Sequence, residues 1–265
     1  MNDRCLVNFS SFGRENYLGG SQRLLDNCAT INLDADLLFF SPDSKSWDND
    51  VKVSEDSTLL FRRRYPRSKE FGDCPIHLHA PYAFKAYCIQ EALDMGYKKV
   101  MWMDSSVVFF KYPEVFWRLA EDVGVVVFDN PGCPEAFYTS DDCLEHMGCT
   151  AEEANKFWMV SAGMIVLDFN EPITKTIFDF YFEHSRDSIC LLGKSGSTRK
   201  EFIAHRHDQS ILSYICHREY VHHLNYGSWA YYSDILNGRC RPTIGVVGMS
   251  QAFGFEKVIK NMGDK

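Results

Sequence analysis

The residues of this chain best suited to chemistry are an aspartate at the end of an apolar run, a lysine before it, a second aspartate far beyond it, and several paired histidines. The stretch Lys98 to Phe110, KKVMWMDSSVVFF, closes its first apolar run at Asp104 and follows it with Ser105 and Ser106. A carboxylate there either caps a helix by accepting its free amides or lines the crevice outside the strand ends of an open α/β sheet. Lys85 lies on the preceding helical stretch. From there its ammonium either stabilises negative charge developing on a leaving group or sits in solvent, as most lysines do. Asp208 and Gln209 open a later helix, where an aspartate is commonplace in the first turn and is also suited to act as a general base. His77-Leu78-His79, His205-Arg206-His207-Asp208 and His222-His223 supply imidazoles and a carboxylate of the kind that hold Zn²⁺ and activate water. Residues two apart on a strand share a face, but His77 and His79 flank a proline-bounded loop with no strand context.

These side chains need elements to position them. CLVNF (5–9) reads as a first strand, followed by a Ser- and Gly-rich loop and a helix around Gln22 to Cys28, and ADLLFF (35–40) reads as a second strand. Tyr82 to Met95 is predicted as a helix with Phe84, Tyr87, Cys88, Ala92 and Met95 on one stripe. Gly96 closes it, and it feeds the strand that ends at Asp104. GVVVF (124–128) and GMIVLDF (163–169) are further strands, β-branched and bounded by turn residues. Helices are predicted at Pro172 to His184 and Asp208 to His217. Ser161, Ala162 and Gly163, which lack bulk, are expected in a turn before a strand. This alternation predicts an α/β fold, a mixed and mostly parallel sheet flanked by helices. The least regular segments are Asp43 to Cys74, Pro131 to Thr150 and Ser185 to Arg206. The last contains LLGKSGSTRK, which suits a mobile flap or an untethered surface loop.

With 265 residues, 45% hydrophobic and 14% aromatic, the chain is large enough for a sizeable core. A net charge of -8 argues against nucleic acid or an anionic membrane as the main partner, despite the local run Arg62, Arg63 and Arg64. No apolar stretch approaches the roughly 20 residues of a membrane span, and the N-terminus lacks a long apolar signal region. A cytoplasmic protein is expected, or a soluble catalytic domain of something longer. None of the ten cysteines is spaced as CxxC; Cys5, Cys28, Cys88 and Cys216 lie in apolar segments and are expected to be reduced.

Five pieces stand in a telling order: Val7 to Arg14, Lys85, Asp104-Ser105-Ser106, Ser161-Ala162-Gly163-Met164 and His207-Asp208-Gln209. This order resembles nucleotide-sugar glycosyltransferases of the GT-A fold, particularly the glycogenin-like and bacterial galactosyltransferase-like group, over about residues 5–225. The resemblance implies one GT-A-like, Rossmann-type domain over 1–265, with a nucleotide-binding half (about 1–110) and an acceptor-binding half (about 111–265). It implies transfer of a sugar from a UDP-sugar to a glycan acceptor, with galactose favoured over glucose or xylose and retention of configuration favoured. Phe9, Ser10, Phe12, Arg14, Lys85, Asp104, Ser105, Ser106, Ser161, Ala162 and Gly163 would then contact the donor. Asp208 would meet sugar hydroxyls, and Gln209 would lie near the anomeric centre. An inverting enzyme would instead use Asp208 as its base.

The chain departs from that group where its members usually carry Asp-x-Asp. Ser106 replaces the second carboxylate, which removes a full charge from a site for Mn²⁺ or Mg²⁺. Metal dependence is therefore open, with Asp104, His222 and His223 as the remaining candidate ligands. Trp229, Tyr231 and Tyr232 are candidates to stack on acceptor sugars. The alternatives are a metal-dependent hydrolase built on the His-x-His pairs and a nucleotide-sugar-binding module without catalysis.

Overall fold

The apolar runs become strands because their side chains alternate between two cores. The computed structural model describes residues 3–10, 15–41, 60–61, 65–232 and 247–249. In it, β1 (Arg4–Phe9) sends Cys5, Val7 and Phe9 to one face of the sheet and Leu6 to the other. After α1 (Glu15–Thr30), β2 (Asp36–Phe40) divides Leu38 and Phe40 from Leu37 and Phe39 in the same way. Short strands β3 (Leu60–Phe61), β4 (Arg67–Ser68) and β5 (Gly72–Asp73) lead to α2 (Ala83–Asp94) and β6 (Lys99–Met103). β6 again splits Val100 and Trp102 from Met101 and Met103. Strands buried on both sides read as unbroken apolar runs, which is the pattern of a sheet with helices on each face.

The chain continues through β7 (Val107–Phe109), α3 (Glu114–Val123), β8 (Val125–Pro134), α4 (Glu135–Tyr138), α5 (Asp141–Met147) and α6 (Ala151–Ala154). Next come β9 (Trp158–Asp168), α7 (Pro172–Arg186), α8 (Ile189–Leu192) and α9 (Asp208–Arg218). Last are β10 (His223–Leu224), α10 (Tyr226–Trp229), β11 (Ala230–Tyr232) and β12 (Val247–Met249). The central sheet has the order β10-β8-β9-β6-β1-β2-β3. It is mostly parallel: only β9 runs against its neighbours, β8 and β6. Helices α2, α7 and α9 cover one face through Phe84, Tyr87, Ile177, Phe178, Ile211 and Ile215. Helices α1 and α3 cover the other through Leu24, Leu25, Phe116 and Trp117. Each such fully buried side chain contributes about 1.5–3 kcal/mol. No helix among the described residues is long and apolar enough to cross a membrane, and the nine described cysteines are free thiols.

Four elements depart from the sequence expectations. Helix α1 starts at Glu15 and runs through Gly19 and Gly20; burial of Leu24, Leu25 and Cys28 outweighs the poor helix propensity of glycine. Ser161, Ala162 and Gly163 lie inside β9 and form no turn. Gly163 is not among the glycines with positive φ. Ala162 and Ile165 face the same core although they are three residues apart, so the strand slips out of its period of two between them. The register against β8 shifts at the same place, as at a β-bulge. Pro131 to Thr150, expected to be irregular, carries the end of β8 and helices α4 and α5. The loop containing LLGKSGSTRK is tethered. Ser197 Oγ and the Thr198 amide donate to the Asp141 carboxylate, the Ser195 amide donates to Asp142, and the Asp141 amide donates to Gly196 O.

Candidate functional site

Asp104 ends β6, and no helix follows it for it to cap. Its amide donates to Gly163 O at 2.8 Å, and its carbonyl accepts the Val107 amide at 2.9 Å, turning the chain into β7. Trp102, two residues earlier and therefore on the same face, donates its indole N–H to Asp104 Oδ1 at 2.9 Å. The end of β6 is fixed from the opposite side by buried Asn8, whose amide donates to Met103 O at 2.7 Å while Ser21 Oγ donates to Asn8 Oδ1.

Lys85 comes from the first turn of α2 and is buried, not solvated. Its Nζ lies 2.9 Å from Asp208 Oδ2, 3.2 Å from Asp104 Oδ1 and 3.0 Å from Ala162 O. Three ammonium protons thus meet three oxygens. Burial works against the charged lysine, but Asp104 and Asp208 outweigh it and raise its pKa above the ordinary value. Asp208, in the first turn of α9, is buried beside Tyr181, whose hydroxyl lies 3.5 Å from Asp208 Oδ2. The Asp104 side chain is 34% exposed and forms the open edge of the array. Loss of hydration raises its pKa; Lys85 opposes the shift, and the Asp208 charge adds to it. Fully ionised, the three groups carry one net negative charge.

Two strained residues frame this array. Tyr82 (φ 67°) immediately precedes α2, which carries Lys85, and His207 (φ 55°) immediately precedes α9, which carries Asp208. Non-glycine residues in such backbone regions cost on the order of 1–3 kcal/mol each and persist only where their surroundings fix them. Their ring centroids are 5.2 Å apart.

The remaining expected site residues are distributed unevenly. Ala162 joins the array through its carbonyl, Ser161 and Gly163 are half-buried beside it, and Gln209 is half-buried next to Asp208. Ser105 is buried and its carbonyl accepts from Arg23 Nη2, whereas Ser106 is half-buried. Phe9 is a core residue, stacked on Phe84 at 4.3 Å, and buried Ser10 donates its amide to Phe40 O. Phe12, Arg14 and the side chains of Tyr231 and Tyr232 lie outside the described residues. Trp229 packs on Phe116 of α3, with ring centroids 5.8 Å apart, so that ring serves the core.

The array does not fit a divalent cation. The ammonium of Lys85 already lies between the two carboxylates, and a second cation beside it would be repelled. His222 is exposed, and His223 sits on β10, three strands from β6 in the sheet order. Among the described residues, no group of three or more His, Cys, Asp or Glu is placed to hold a metal. Of the His-x-His imidazoles, His205 has both ring nitrogens engaged: Nδ1 accepts the Ser140 amide while Nε2 donates to Cys190 O, and burial holds its pKa down to about 4.

Tyr82, Trp102 and Tyr181 are additions to the residues expected from sequence, and His207, expected there as a metal ligand or as part of the His207-Asp208-Gln209 piece, instead packs its ring against Tyr82. The Trp-x-Asp spacing on a strand was the signal for Trp102. Tyr181 is one of several apolar-face residues of α7 and carries none. Comparison with protein-family models and with curated proteins gave no match for this chain.

Proposed function

We propose that this chain is a GT-A-type glycosyltransferase that moves a hexose, galactose in the first instance, from a UDP-sugar to a glycan acceptor. The observation that carries the reading is the Asp104–Lys85–Asp208 array at the C-terminal end of β6, beside parallel β1, where ligands of open α/β sheets bind. The exposed edge of Asp104 only accepts hydrogen bonds when ionised, which suits hydroxyls of a ribose or sugar and disfavours direct contact with phosphate. Lys85 has committed its three protons to Asp104, Asp208 and Ala162 O. Its role is therefore to position the two carboxylates and not to clamp the diphosphate. Asp208 is buried against Lys85 and Tyr181, which supports retention over inversion, since an inverting base must reach the acceptor. In the retaining step the acceptor oxygen bonds to the anomeric carbon, the bond from that carbon to the phosphate oxygen breaks, and the acceptor proton passes to the departing diphosphate.

Calorimetry with UDP and UDP-galactose, followed by NMR of the product, tests this. Asp104→Asn preserves size and should lower turnover by about two orders of magnitude, the scale of a lost electrostatic contact. Failure of UDP and of every UDP-sugar to bind, with or without Mn²⁺, would overturn the reading. A non-catalytic nucleotide-sugar-binding module is the second reading, favoured by the full engagement of Lys85; binding without turnover would select it.

A further inference from the structure

The array accounts for Lys85, Asp104 and Asp208 but not for the two aromatic side chains held at strained positions beside it. Tyr82 is 36% exposed. Its ring is tilted 35° to that of His207 at 5.2 Å, and Lys85 Nζ lies 5.5 Å from the Tyr82 centroid. His77 also meets it edge-on at 5.2 Å, and the Tyr82 amide donates to His77 Nδ1. His207 Nδ1 lies 2.6 Å from Leu191 O. A carbonyl only accepts, so Nδ1 carries a proton and donates it there. Two side chains from separate helix starts thus form one aromatic wall, next to a carboxylate that accepts hydrogen bonds.

We propose that Tyr82 and His207 form a stacking platform for the pyranose ring of the donor sugar, an inference that rests on the nucleotide-sugar reading. A pyranose has an apolar C–H face and a hydroxyl-bearing edge; aromatic walls with a few placed polar groups match that combination. Uracil suits this position less well, because it offers Asp104 a single donor, N3–H, flanked by two carbonyl acceptors, whereas the pyranose edge offers several hydroxyl donors. The platform therefore discriminates the sugar and not the base.

The test compares UDP with UDP-galactose by calorimetry in the parent, Tyr82→Ala, Tyr82→Phe and His207→Ala. Tyr82→Ala and His207→Ala should each weaken UDP-galactose by about fivefold to tenfold, the scale of one aromatic contact, and leave UDP unchanged. Tyr82→Phe should behave as the parent. Where Tyr82→Ala does not fold, Tyr82→Gly tests the same loss of the ring on a residue suited to the left-handed backbone. An equal loss for UDP and UDP-galactose would place the nucleoside on the platform and overturn the proposal, as would no loss for either. Absence of binding by the parent itself would instead sink the underlying nucleotide-sugar reading.

Discussion

Replacing Lys85 by Met removes the ammonium and keeps most of the stem. Asp208 is then left buried without its counterion, and the partly exposed Asp104 faces it as a like charge. Removing one partner of a buried ion pair costs about 3–5 kcal/mol. The lower end applies here, because Asp104 is open enough to recover hydration. A loss of about 3 kcal/mol is a large share of the roughly 5–15 kcal/mol that stabilises a folded protein, and corresponds to a melting temperature lower by about 6–12 °C. Urea denaturation of the parent, Lys85→Met, Asp208→Asn and the double variant measures it. The double variant should be less destabilised than the sum of the single ones, with a coupling of about 1.5–3 kcal/mol. Because the folded pKa of Lys85 is raised, its contribution is fully present below the ordinary lysine value and is lost only as pH rises through the folded pKa. The difference between variant and parent should therefore stay constant from about pH 7 to 9.

Lys85→Ala supplies a further arm. It opens a space lined by Asp104 Oδ1, Asp208 Oδ2 and Ala162 O, three oxygens of the type that Ca²⁺ binds. Millimolar Ca²⁺ should raise the melting temperature of Lys85→Ala and leave the parent unchanged. A Lys85→Met protein destabilised by less than about 1 kcal/mol, with an additive double variant, would refute the reasoning that the ammonium holds this site together.

Buried Glu135 accepts from Thr139, yet burial raises its pKa to about 8. A carboxyl that titrates higher when folded makes stability fall as pH rises from its unfolded value towards 8. His205 acts in the opposite sense between about pH 4 and 6.5, where the unfolded chain takes up its proton first, so the Glu135 effect should be visible between about pH 6.5 and 8. Urea midpoints of Glu135→Gln should be flat across that window while those of the parent decline; equal slopes would remove Glu135 as the cause. Gly193 has φ +55°, and a Cβ there would lie 2.3 Å from the His205 ring, which is itself held between Ser140 and Cys190. Gly193→Ala should cost about 2 kcal/mol or more, read as a lower melting temperature; an unchanged one would show that the His205 loop yields.

The elements that carry the site were legible where one residue's environment follows from its immediate neighbours. The alternating cores of β1, β2 and β6 appear in sequence as apolar runs, and α2, α7 and α9 as stripes, because strand and helix periods act over a few residues. Asp104 stood out for the same reason, as an acid that ends such a run. The slip in β9 was hidden, since Ser161-Ala162-Gly163 reads equally as a turn or a bulge until the register with β8 and β6 is known. Helix α3 was passed over although Phe116, Trp117 and Ala120 give it a buried face.

What local patterns could not disclose is which polar residues share an interior. Ser210 and Ser213 look like the solvated side of α9, and Glu135 falls in a segment that reads as loop; only the packing of α4 against α9, and of α9 against β9, turns them into buried hydroxyl and carboxyl groups. Lys85 shows the same limit in sharper form. As a helix lysine its expected place is solvent, and nothing near it in sequence says otherwise, because its partners arrive from β6, β9 and α9. An ammonium is stable in that interior only if each of its three protons finds an oxygen. The surroundings of Lys85 are therefore strongly constrained: Asp104, Asp208 and Ala162 O must be placed together or not at all. This all-or-none requirement binds the end of β6, the slip in β9 and the start of α9 into a single unit, and it makes the charge of Lys85, more than any one carboxylate, the condition for the site to exist.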